Sequence, residues 1–99
     1  MGALDKLEIL KDTYSDAAQL DLILGKLLDF TLDQHRLRLE RYERSLREFE
    51  ERHGIDSATF YARFEAGEMG DAMDLFEWAG LYELRQDLMG KIRRLESAS

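Results

Sequence analysis

From Leu28 onward, Leu32, His35, Leu39, Tyr42, Leu46, Phe49 and His53 follow one another at intervals of four and three, a seven-residue repeat. On an α-helix this period draws one continuous seam, and such a seam requires a second helix to cover it. The cover must come from elsewhere in the chain or from a second chain. Around the seam, "HRLRLERYERSLREFEERH" (35–53) carries six arginines and five glutamates. Glu40 and Arg44, Glu43 and Arg47, and Glu48 and Arg52 stand four apart, the spacing at which opposite charges neutralise each other along a helix. That pairing counts against reading the arginine-rich stretch as a nucleic-acid-binding helix.

The chain has 99 residues with neither proline nor cysteine. Without proline, long helices run uninterrupted, and all-α is the expected class. Without cysteine there are no disulfides, thiolate metal sites or cysteine nucleophiles, and a cytoplasmic setting is the plain reading. "LILGKLL" (22–28) is broken by Gly25 and Lys26 and is far shorter than the ~20 residues of a membrane span. "MGALDKL" lacks the basic and apolar blocks of a signal peptide, and Lys6 stands where myristoylation wants Ser or Thr. The net charge of −7 is uneven: residues 1–34 carry seven acids and three bases (−4), 35–53 five and six (+1), 54–79 six and one (−5), and 80–99 three and four (+1). Direct nucleic-acid binding is disfavoured, because phosphate contacts need basic clusters that neighbouring acids do not cancel.

Local signals divide this single domain into four elements. A short amino-terminal element (1–14) has Leu4, Leu7 and Leu10 at helical spacing, although "LEIL" also suits a strand. A long helix (16–53) starts at a cap on Ser15 or Asp16, with Gln19 completing a capping box, and closes at Gly54. Leu20, Ile23, Leu24, Leu27, Leu28 and Thr31 give its first half a broader apolar stripe. A short helix (56–66) is capped by Asp56, stapled by Ile55 and Phe60, and ended by Gly67. The last helix (71–96) starts from Asp71, with Asp74 in its first turn. Leu81, Leu84, Leu88, Ile92 and Leu95 form its stripe, Gly80 and Gly90 are candidate bends, and the last three residues are expected to fray.

Candidate chemistry is sparse. Glu50 and His53 have the Glu-x-x-His spacing of four-helix iron carboxylate sites, but only one copy exists, and a terminal histidine favoured by the helix dipole is the simpler reading. No nucleophile elbow or phosphate loop is present, and no metal, cofactor or catalytic residue is expected. The unusual segment is "EAGEMGDAMDLFEWAG" (65–80), where acids alternate with Met69, Met73, Phe76 and Trp78. Adaptable methionines and an aromatic anchor suit a partner-binding surface, with the acids steering a basic partner. The competing reading is a core corner in which Phe76 and Trp78 pack under the preceding turn.

"FYARFEAGEMGDAMDLFEWAGLYELRQDL" (60–88), taken with "HRLRLERYERSLREFEERHG", resembles a group of small bacterial and archaeal antitoxin-like proteins, partners in toxin–antitoxin pairs. That resemblance implies a non-enzymatic protein that binds and masks a basic, toxin-like partner. The chain departs from the pattern at its acidic amino terminus, where antitoxins often carry a basic DNA-binding element. The expectation is an all-α long-helix hairpin with a short helix at the turn, forming a coiled-coil-like homodimer or higher oligomer through Leu28, Leu32, His35, Leu39, Tyr42, Leu46 and Phe49. Partner binding is expected at Met69, Asp71, Met73, Asp74, Phe76, Glu77 and Trp78. The alternative role is a purely structural helical oligomer.

Overall fold

A computed structural model describes residues 2–13 and 16–98, and within them the chain forms four helices and no strand: α1 (Ala3–Thr13), α2 (Ala17–His53), α3 (Ser57–Glu65) and α4 (Met73–Ala98). The alternative cap Ser15 and the terminal Ser99 lie outside the described residues. α2 starts where Asp16, in an extended conformation, accepts a hydrogen bond from the Ala18 amide at 2.9 Å. The cap thus reaches the second helical residue rather than the third, where a capping box would bind. α2 ends at Gly54, whose left-handed φ of 72° no β-carbon opposes and whose amide donates to the Glu50 carbonyl at 2.8 Å.

The chain turns through α3. Asp56 caps it, its carboxylate accepting from the Thr59 amide at 2.8 Å, and Ile55 packs into the same apolar cluster as Phe60. At the other end the Glu68 amide reaches the Arg63 carbonyl and the Gly67 amide reaches Phe64, both at 3.0 Å. This is a Schellman closure, which requires Gly67 at its positive φ of 76°. α4 begins at Met73 with the Ala72 carbonyl as its first acceptor, so Asp71 stands one residue too early to cap it. α4 is continuous through Gly80 and Gly90 and remains helical to Ala98.

α4 folds back antiparallel along α2 and covers the seven-residue seam. Leu46 shares one buried cluster with Phe60, Leu75, Trp78 and Ala79, flanked by Phe49. Leu32 shares a second with Leu88 and Ile92, flanked by Leu39 and Tyr42. This corrects the expected oligomer interface. Leu32 and Leu46 are 7% and 4% exposed, and with Leu39, Tyr42 and Phe49 they pack against their own chain. Leu28 and His35 are half-buried, and the His35 Nδ1 is enclosed with no hydrogen-bond partner among the described residues. The charge pattern is corrected too. Glu43 reaches across to Arg85 at 3.0 Å instead of pairing with Arg47, and neither Glu40–Arg44 nor Glu48–Arg52 closes into an ion pair.

The result is a rod of 58 × 24 × 18 Å with a radius of gyration of 19.3 Å, against ~13 Å for a compact domain of this length. α2 at ~1.5 Å per residue accounts for the long axis. Leu95 lies beside Thr31 and His35 one turn before the end of α4, so about three turns of α2 project past that end. No residue of α1 is buried. No helix among the described residues is long and apolar enough to cross a membrane.

Candidate functional site

The end of the hairpin is organised around Trp78, which has no exposed surface. Its indole stacks on Phe60 with centroids 3.7 Å apart and planes 2° from parallel. Phe49 and His53 stack near it from α2 at 5.6 and 5.1 Å. Burial of an indole requires a partner for its N–H. The Trp78 Nε1–H donates to Ser57 Oγ at 3.0 Å, and the Ser57 amide in turn donates to Glu50 Oε2 at 2.7 Å. Glu50 therefore satisfies the first turn of α3, while His53 Nε2 faces Asp74 Oδ2 at 3.2 Å. The Glu-x-x-His pair is divided between two structural tasks. Among the described residues no cluster of three or more His, Asp or Glu side chains has the arrangement of a metal site.

Trp78 is accordingly not a surface anchor, and the expectation that a partner touches it is corrected. The α4 register turns position 78 inward between α2 and α3. Met69 also packs against this core, and Asp74 is engaged by His53. Asp71, Met73, Phe76 and Glu77 are exposed, Met73 at 73% and Phe76 at 51%. Phe76 rests edge-on against Phe64 with centroids 5.2 Å apart, which fixes its ring while leaving half of it bare.

Along α4, Met73, Phe76, Gly80 and Leu84 succeed one another at intervals of three, four and four and form an outer stripe. With Ser45 and Phe49 of α2, the residues Phe76, Glu77, Gly80, Leu81 and Leu84 line a shallow, mainly apolar groove between the two long helices. A β-carbon at Gly80 would meet no atom within 4 Å, so the glycine forms an open floor. Leu84, expected in the core stripe, is 53% exposed, and Gly80, a candidate bend, lies within continuous helix. The spacing 73/76/80/84, offset around the helix from Trp78, Leu88 and Ile92, is the sequence signal for this second face.

On the opposite flank, Tyr61 donates to Glu83 Oε1 at 2.5 Å and its ring lies 4.7 Å from that of Tyr82. The hydrogen bond to Glu83, with Glu65 adding in the same sense, raises the phenol above its ordinary range. Bonds from the Thr59 amide and hydroxyl lower the Asp56 carboxyl. Tyr61 ties α3 to α4, and Asp56 closes the amino end of α3 itself. Comparison with protein-family models, curated proteins and solved structures finds no match for this chain.

Proposed function

We propose that the chain is a non-enzymatic protein-interaction module, antitoxin-like in that it binds and masks a basic partner protein, and that the groove beside Phe76 receives this partner. The observation that carries the reading is a half-exposed aromatic in an apolar groove at the most acidic part of the chain. Residues 54–79 hold six acids against the single base Arg63. An amphipathic helix laid in such a groove buries its apolar face on Phe76, Leu81 and Leu84 while its basic flank meets Asp71 and Glu77. Phe76 and Met73 supply contact area, and the acids mainly speed the approach. The competing reading, a structural helical oligomer, draws support from the rod-like shape.

A defined probe tests the groove. A synthetic amphipathic helix with lysines on its polar face is titrated against the chain, with a glutamate-bearing peptide of the same apolar pattern as control. The lysine peptide is expected to bind with an affinity that falls with salt, and Met73→Ala/Phe76→Ala is expected to abolish binding without changing the melting temperature. Equal binding of both peptides, or undiminished binding by the double variant, contradicts the reading.

A further inference from the structure

α2 carries a second seven-residue seam. Leu20, Ile23, Leu27, Phe30, Gln34 and Leu37 follow at intervals of three, four, three, four and three, and the series ends at Arg41. α4 does not cover this seam: Leu27, Phe30 and Leu37 are 57%, 62% and 52% exposed, whereas Leu32 and Leu46 on the first seam are almost fully enclosed. Five of the six positions are apolar, over ~26 Å of helix. An uncovered seam of this kind requires a second helix, as the first one does.

We infer that this seam pairs with the same seam of a second copy, antiparallel, so that two hairpins form a four-helix rod. The arrangement is self-complementary. With the two-fold axis between positions 27 and 30, Leu27 of one copy meets Phe30 of the other, Ile23 meets Gln34, and Leu20 meets Leu37. Slipping by one heptad sets Arg41 against Ile23, so the register is held by the apolar limits of the seam. On the outer flank Lys26 comes opposite Asp33 twice by symmetry, giving two ion pairs across the interface. Within its own chain Asp33 makes a long, exposed ion pair with Arg36, at 3.9 Å.

The projecting end of α2 gives the reason for the antiparallel sense. Leu20 and Leu24 lie on the turns past the end of α4 and are only half-buried. Antiparallel pairing lays these turns beside the α2 and α4 of the second copy, where Leu24 gains apolar cover. A parallel pair leaves both projecting ends beyond both α4 helices. The seam and these turns together supply the apolar side chains that the pair buries. The surface lies along the opposite half of α2 from the Phe76 groove, so neither assignment rests on the other.

Sedimentation of the full chain at micromolar concentration is expected to give twice the single-chain mass of 11.6 kDa. Leu27→Glu/Phe30→Glu and, separately, Leu37→Glu are expected to give single chains with unchanged helicity, since these side chains are exposed. Leu84→Glu is expected to remain a dimer. Because the chain has no cysteine, single cysteines report orientation: a mixture of Ile23→Cys and Gln34→Cys chains is expected to form the mixed disulfide. A monomeric unmodified chain, a dimer indifferent to all the seam variants, or a Gln34→Cys chain that cross-links chiefly to itself overturns the inference.

Discussion

Trp78 and Phe60 lie face to face with ring centroids 3.7 Å apart, and neither has exposed surface. One comes from α4 and the other from α3, so this contact fastens the turn of the hairpin to its second arm. Phe49 adds α2 to the same stack.

Trp78→Ala is therefore expected to be a stability variant. Removing a buried aromatic of this size costs ~3–5 kcal/mol, a large part of the 5–15 kcal/mol typical of a folded domain. Ser57→Ala strands the buried indole N–H and is expected to cost ~1–3 kcal/mol. Urea titrations followed by circular dichroism check both. A Trp78→Ala chain as stable as the parent contradicts the core assignment.

The two shifted groups predict opposite pH limbs. Asp56 is lowered in the fold, so its contribution is complete above the unfolded value of 3.8 and is lost as pH falls below it. Tyr61 is raised, so its contribution is complete below the unfolded value of 10.0 and is lost as pH rises above it. Asp56→Asn, which keeps a capping side chain, is expected to flatten the acid limb of melting temperature against pH, and Tyr61→Phe the alkaline limb. Unchanged limbs count against these bonds.

His35 occupies a seam position with an enclosed Nδ1 that has no hydrogen-bond partner among the described residues. Replacing such a group by an apolar side chain removes its desolvation cost, so His35→Leu is expected to raise stability by ~1–2 kcal/mol. A loss of similar size in denaturant titration shows that the imidazole makes a needed contact.

The hairpin was legible because a seven-residue period is a local property, and Gly54, Asp56 and Gly67 mark chain reversals by backbone chemistry alone. What covers the seam was not legible. A heptad pattern asks for a helix without specifying whether it belongs to the same chain, and here Leu88 and Ile92 of α4 meet Leu32. Trp78 was misplaced for a related reason. Acidic neighbours made its segment read as surface, but α4 starts at Met73, and its register against α2 and α3 turns position 78 inward and position 76 outward. Glu43 similarly had a sequence partner in Arg47 and a tertiary one in Arg85, and the tertiary geometry prevailed.

The central claim is that the exposed face of Phe76 and Met73, with its acidic flank, holds a basic partner. The most direct test compares what co-purifies from the native host with the tagged chain and with its Met73→Asp/Phe76→Asp variant, after equal melting temperatures are verified. The account predicts a small basic protein in stoichiometric amount with the parent chain and its loss from the variant. Recovery of the same partner by both chains, or of no basic protein by the parent, contradicts it.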